Sequence, residues 1–169
     1  MVLSGEHLTL RPWLDGDAPA LSAACGDPDI TRYTTMPLSY SPDAARVWIA
    51  DQRRRTALGQ ALILAIVPAK SRRPVGMAGL FGLTERDGPR LGYWIVRAHR
   101  GRGLATEAAA LLVSWAATQG HRTITLELEP HNVASRAVAR RLGGMPRDPH
   151  TIRLDDGRTV ALDRFVIRP

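Results

Sequence analysis

The residues Gly92-Tyr-Trp-Ile-Val-Arg-Ala-His-Arg-Gly-Arg-Gly-Leu-Ala-Thr-Glu-Ala108 constrain this chain more than any other segment. A β-rich run, Leu91 to Val96, leads into a turn holding Gly101 and Gly103, and a helical pattern starts directly behind it. Leu104, Ala108, Leu111, Leu112 and Trp115 recur at spacings of three and four until Gly120 stops a helix predicted over Gly103 to Thr118. A strand, turn and helix joined in this way offer unpaired backbone N–H groups and the positive end of the helix dipole to an anion. Gly101 and Gly103 carry no side chain to block a close approach, and Arg97, His99, Arg100 and Arg102 add charge around the same turn. A dinucleotide fingerprint is a poor match, because Thr106 stands where its third glycine or alanine belongs and the turn lies late in the chain. A P-loop is excluded, since no Gly-Lys-Ser/Thr follows. From the turn alone, an ordinary glycine-containing βα connection with solvated arginines remains the alternative.

The rest of the chain fits around this unit in the order β-α-α-β-β-β-α-β-α-β-β. His7 to Arg11 alternates as a first strand, and Asp17 opens an Ala/Leu-rich helix to about Cys25. Gly26 to Tyr40 reads as a short helix plus loop. Ser41-Pro42 starts a helix, Ser as N-cap and Pro at the first helical position, and Gly59 stops it after Leu58. Gln60 to Val67, Pro74 to Gly82 and Leu91 to Val96 are short-looped β-rich runs and predict an antiparallel meander. Arg122 to Leu128 is a further strand, and Asn132 to Leu142 a helix with Asn132 as N-cap and Gly143 as stop. Thr151 to Leu154 and Thr159 to Ile167 form a final strand pair across the turn Asp155-Asp156-Gly157. The expected fold class is α/β (α+β), a mixed, mostly antiparallel twisted sheet of about seven strands flanked by about four helices. No repeat, low-complexity tract or long linker interrupts the 169 residues, so residues 1–169 are expected to form a single domain.

Composition narrows the function classes. A 44% hydrophobic content is enough for a sizeable core and argues against a disordered chain. The longest apolar run, Ala61 to Val67, is far shorter than the ~20 residues of a membrane helix. Met1 to Leu10 lacks a basic start followed by a long apolar stretch, so neither a membrane partner nor a signal peptide is expected. Cys25 is the only cysteine and the five His are scattered, so no disulfide and no metal are expected, and the chain is assigned to the reducing cytoplasm. Trp13, Trp48 and Trp115 read as core or helix-packing residues, and Val113-Ser114-Trp115 lies mid-helix rather than in a nucleophile elbow.

Arg100-Gly101-Arg102-Gly103-Leu104-Ala105 fits the signature Gln/Arg-x-x-Gly-x-Gly/Ala of the GCN5-related N-acetyltransferases (GNAT), and it lies between the fourth strand and the third helix of the expected order. The chain resembles that superfamily, and in particular its RimJ/RimL-like branch, enzymes that acetylate ribosomal-protein N-termini. Leu8-Thr-Leu-Arg-Pro12, Gly92-Tyr93-Trp94, Thr106-Glu107-Ala108, Leu126-Glu-Leu-Glu-Pro-His-Asn132-Val-Ala-Ser135 and Leu142-Gly143 carry the branch resemblance over nearly the full length. It implies a GNAT domain with acetyl-CoA as co-substrate and direct acetyl transfer to a primary amine, without a covalent enzyme intermediate. It also implies that backbone amides of Gly101, Arg102, Gly103, Leu104, Ala105 and Thr106 hold the CoA pyrophosphate, with Arg97 and Arg100 beside it. Trp94, Ile95 and Val96 would pair with the pantetheine arm through backbone groups, a bulge there polarising the thioester carbonyl, and Asn132 would contact the cofactor near its reacting end. Tyr33, Met36 and Tyr40 fall in the region that forms the family's acceptor pocket. The favoured acceptor is a protein or peptide N-terminus; a small amine such as a polyamine, amino acid or antibiotic is the competitor. A non-catalytic acyl-CoA sensor, or a basic nucleic-acid-binding module on the same fold, is the alternative of another class, and a homodimer is a candidate assembly.

Acetyl transfer to an amine needs the amine neutral, the developing oxyanion stabilised, and the leaving thiolate protonated or hydrogen-bonded. Many family members use a Tyr seven residues after the Asn for the last task; here that position is Ala139. The RimL-like branch uses the Ser of Asn-x-x-Ser, which assigns the role to Ser135, a residue that could equally make a local backbone bond in the first turn. Glu127 and Glu129 share a strand face and are the candidate general bases. An α-amino group has a pKa of about 8, so a weak base or a water relay suffices. Where the branch often has an acid before Gly-Tyr-Trp, this chain has Arg90-Leu91.

The formal charge of +7 is unevenly placed. Residues 1–60 hold six Arg and seven acids, whereas residues 61–169 hold 17 basic and nine acidic residues, so the excess lies with the expected cofactor site. A phosphate-bearing cofactor accounts for part of it, and nucleic acid is not expected as a partner.

Overall fold

The computed structural model describes residues 1–169 except 35, 37, 38, 154–156 and 158. The segment Ala61 to Val67 is its centre: strand β3 (Ala61–Pro68) is buried along almost its whole length. Leu62, Leu64 and Ile66 enter the core on one face of the sheet, and Ala61, Ile63, Ala65 and Val67 enter the core on the other. A strand covered on both faces reads as a continuous apolar run rather than an alternating one. Around it lie β1 (Leu3–Ser4), β2 (Leu8–Pro12), β4 (Gly76–Phe81), β5 (Arg90–Ile95), β6 (Ile124–Leu128), β7 (Met145–Arg153) and β8 (Thr159–Ile167), in the order β1-β2-β3-β4-β5-β6-β8-β7. Neighbours are antiparallel except β5 and β6.

Helices α1 (Ala18–Ala24), α2 (Pro28–Tyr33) and α3 (Pro42–Ala57) belong to one face, and α4 (Leu104–Thr118) and α5 (Val133–Arg141) to the other. The expected caps are present: Ser41 Oγ accepts from Ala44 N at 3.1 Å, and Asn132 Oδ1 from Ser135 N at 3.0 Å. Helix α4 buries Leu104, Ala108, Ala109, Leu112 and Ala116, the apolar stripe its spacing predicts. Trp13 is almost fully buried, with Trp48 edge-on at 5.8 Å, and Trp115 packs on the opposite core.

The α/β class and the meander β3-β4-β5 hold, while the counts rise to eight strands and five α-helices among the described residues. The additions are β1, two residues long, and α2, expected only as a helix of uncertain shape. The penultimate strand begins at Met145 rather than Thr151, because Pro146 and Pro149 mark an exposed edge with no alternating pattern to read. Of the expected hairpin turn, Asp155 and Asp156, together with Leu154, lie outside the described residues. No helix among the described residues is long and apolar enough to cross a membrane.

What positions the site is the junction of β5 and β6. They pair only at Arg90 and Thr125, with Thr125 N donating to Pro89 O at 3.0 Å, and beyond that pair the strands separate. Gly88, at φ 86°, lets the preceding turn pass close to β6; a Cβ there would lie 2.3 Å from Thr123 O.

Candidate functional site

The opening between β5 and β6 leads into a cleft of about 1840 Å³, walled by α2, α3, the head of α4 and α5, and ending at the β7–β8 hairpin. At one end stands the turn Arg100 to Gly103. Gly101 and Gly103 have φ of 74° and 77°, and a Cβ on either would meet no protein atom within 4 Å. Glycine here therefore supplies a left-handed backbone conformation rather than room among protein atoms. No side chain caps α4, whose first helical bond runs from Glu107 N to Gly103 O. The amides of Gly101, Arg102, Gly103, Leu104, Ala105 and Thr106 have no protein acceptor among the described residues. A run of free donors at the positive end of a 15-residue helix suits a diphosphate. Gly101, Gly103, Leu104, Ala105 and Thr106 line the cleft.

The arginines of this turn divide. Arg97 is exposed, and Arg102 reaches Ala98 O at 3.2 Å, leaving their charge at the rim. Arg100 does not match the expectation of a free cofactor ligand. Its Nη1 and Nη2 donate to Asp29 Oδ2 and Asp27 Oδ2, each at 2.6 Å, and its Nε donates to Ile95 O at 2.8 Å. Two carboxylates and a carbonyl occupy the guanidinium, which ties α2 to the end of β5. Asp27 also accepts from Arg97 N at 3.2 Å and caps α2 through Asp29 N at 3.1 Å.

Along β5 the backbone parity corrects a second expectation. In an antiparallel ladder both main-chain groups of a residue turn to the same neighbour. Trp94 stands opposite Met77 and its backbone is turned to β4, while Val96 N donates to Val75 O at 2.9 Å and the Val96 carbonyl accepts from His99 N at 2.9 Å. Tyr93 and Ile95 turn theirs toward the opening, with the Ile95 carbonyl already held by Arg100. The register from Gly76 and Ile95 to Phe81 and Arg90 runs without a shift, so no bulge falls within these pairs. Trp94 contributes its indole to the α1–α3 side of the cleft.

On the far wall β6 alternates: Ile124, Leu126 and Leu128 are in the core, which turns Glu127 the other way into the cleft, with Glu129 just past the strand. Glu127 Oε1 lies 3.4 Å from His150 Nε2, a residue unmarked by any sequence spacing. Asn132 and Ser135 both line the cleft. Tyr93 also lines the cleft; its phenol is pushed up to about 12 by burial, and its buried hydroxyl has no hydrogen-bond partner among the described residues. Tyr33 and Met36 line the α2 side, with the Arg32 guanidinium 5.2 Å above the Tyr33 ring. Tyr40 does not reach the cleft; it packs beside the Trp13 cluster, and Ser22 Oγ donates to its carbonyl. Trp48, Phe81, Ile152, Val160 and Leu162, none of them foreseen, complete an apolar wall. No group of three or more metal-ligating side chains occurs among the described residues.

The structure has clear relatives. Residues 7–145 match the family model described as acetyltransferase (GNAT) domain. An uncharacterized N-acetyltransferase p20 of Bacillus licheniformis is 29% identical over 132 residues, covering 77% of this chain and 74% of its own. The solved structure of RimL, a ribosomal L7/L12 alpha-N-protein acetyltransferase in complex with coenzyme A, superposes with a TM-score of 0.86 at 18% identity, covering 99% of this chain and 98% of that one. The microcin C7 self-immunity acetyltransferase MccE, in complex with acetyl-CoA and AMP, gives 0.87 at 16% identity, covering 98% and 94%.

Proposed function

The chain belongs to the GNAT acetyltransferase family, and from that premise we propose that it transfers an acetyl group from acetyl-CoA directly to a primary amine, with a protein or peptide N-terminus as the acceptor. The observation that carries this reading is the meeting, in one cleft, of the uncapped amides at the head of α4 with the opening between β5 and β6. Acetyl-CoA supplies the thioester. Amides from Gly101 to Thr106 hold its pyrophosphate, Arg97 and Arg102 add charge at the rim, and the Tyr93 and Ile95 backbones face the pantetheine arm. Asn132 fixes the first turn of α5, and the Ser135 hydroxyl donates to the leaving sulfur. Glu127 and Glu129 take the proton released by the amine, directly or through water.

The length of the cleft, from α2 to the β7–β8 hairpin, supports an extended acceptor, as does the likeness to RimL. The likeness to MccE, bound to AMP, keeps a small-molecule amine as the second reading. A competition assay separates them: peptides beginning with Ala or Ser, polyamines, amino acids and aminoglycosides are mixed with acetyl-CoA, and the products are identified by mass. Acetyl groups on peptide α-amines are expected; products from small amines alone would replace the peptide by the second reading.

A further inference from the structure

We propose that the cleft wall formed by Trp48, Met77, Phe81 and Trp94 around the Gln52 amide is a subsite for the second residue of a peptide acceptor. It takes a large apolar side chain, while the Gln52 carbonyl oxygen accepts the backbone N–H that joins the first residue to the second. The inference rests on the acetyltransferase reading and deepens it by naming the sequence the acceptor carries.

Gln52 is the residue that calls for an occupant. It lines the cleft from α3, yet only 5% of it is exposed, and among the described residues it and Asp17 are the two buried polar or charged side chains. Asp17 is satisfied by Arg11 at 2.6 and 2.9 Å and by Leu14 N at 2.9 Å. Gln52 Nε2 reaches only Asp51 Oδ2, at 3.3 Å, and its Oε1 accepts from no protein donor among the described residues. A buried amide costs stability unless its polar atoms are paired, and a carbonyl oxygen left free beside a cleft is placed to receive a ligand's N–H.

Around that amide the wall is apolar and held in place. Trp48 lies one helical turn before Gln52 on α3, and Trp94 reaches the same side from β5. Each indole packs on the almost fully buried Trp13, with ring centres at 5.8 and 6.2 Å. On β4, Met77 stands opposite Trp94, and Phe81 follows on the same face. The pair between them is Gly79 and Gly92, which puts no side chain into the gap. A Cβ at Gly92 would lie 3.0 Å from the Phe81 ring, so glycine there lets the ring lie across the strand. The charged lining residues on this side, Arg55, Glu85 and Arg90, are exposed. A charged side chain entering the wall would therefore leave water without gaining a partner from it. An apolar lining with one convergent polar group is the usual form of a selective site. Trp94 stands between Tyr93 and Ile95, whose backbones face the opening, so the wall begins within about one residue's length of the reacting end.

The test is a series of peptides beginning Ala-X, with X as Phe, Leu, Ser or Asp and the rest constant, read as kcat/KM with the wild-type chain. Phe and Leu are expected to exceed Ser and Asp about tenfold or more. With X as Phe, an ester in place of the amide between the first two residues removes the N–H and is expected to lower kcat/KM about fivefold, chiefly through KM. Gln52→Leu is expected to show that same loss with the amide peptide, no further loss with the ester, and unchanged acetyl-CoA affinity by calorimetry. A flat series, an ester effect that persists in Gln52→Leu, or a parallel loss of acetyl-CoA affinity would overturn the proposal and leave the acetyltransferase reading standing. Should Gln52→Leu fail to fold, the wild-type series and its ester decide alone. A wild-type chain that acetylates small amines and no peptide would overturn the subsite and the peptide reading together.

Discussion

Arg100 divides its guanidinium between Asp27 and Asp29 while its Nε holds Ile95 O, so a residue matching a cofactor signature serves as a tie between α2 and β5. Hydrogen bonds to charged partners are worth roughly 1.5–3 kcal/mol, and removing Arg100 also leaves the largely buried Asp27 carboxylate uncompensated. Arg100→Ala is therefore expected to lower stability by about 2 kcal/mol in urea unfolding, and to blunt peptide turnover by loosening the α2 wall that carries Tyr33. Tyr93 gives a prediction in pH. Its phenol is raised from the usual 10 to about 12 in the folded chain, so the folded state holds that proton more tightly than the unfolded state. The stabilisation is complete below pH 10 and is lost as the pH rises through 12. Thermal unfolding scans from pH 9 to 12 should show the midpoint falling, with a shallower fall in Tyr93→Phe. Cys25 and Tyr40, also raised by burial, contribute the part that persists in the variant.

Helix α4 does two jobs at its two ends, which can be damaged separately. Leu112 is fully buried near its middle, and Leu112→Ala should cost 2–5 kcal/mol in denaturant unfolding with little effect on acetyl-CoA affinity in the folded fraction. Gly103→Ala does the reverse. It forces a Cβ into a left-handed conformation at about 1–2 kcal/mol, turning the amides that follow, so acetyl-CoA affinity should fall at least tenfold by calorimetry while unfolding changes modestly. The head of this helix was legible in the sequence because its signals are local: two glycines, a basic turn and a periodic apolar stripe. The fate of Arg100 was not, since Asp27 and Asp29 lie some seventy positions away and nothing near Arg100 announces them. Nor was the choice between Trp94 and Tyr93, because backbone parity in β5 follows from its register with β4. The prolines of β7 hid an edge strand for a related reason: nothing alternates along it to mark a buried face.

Across the whole molecule the sheet and the cleft agree: a β5–β6 pair that parts after one contact creates the opening, and the covering helices place α4 and α5 at its lips. Acetyl-CoA binding should weaken as salt is raised, since exposed Arg97 and Arg102 are screened while the backbone amides are not. The central claim, that this cleft passes acetyl from CoA to an amine, is tested most directly by following free CoA thiol as a peptide with an unblocked Ala or Ser N-terminus is added to the chain and acetyl-CoA. Saturable thiol release is expected, depending on the free α-amine and disappearing when that amine is blocked. Release no faster than acetyl-CoA hydrolysis without acceptor, for peptides and small amines alike, would contradict it.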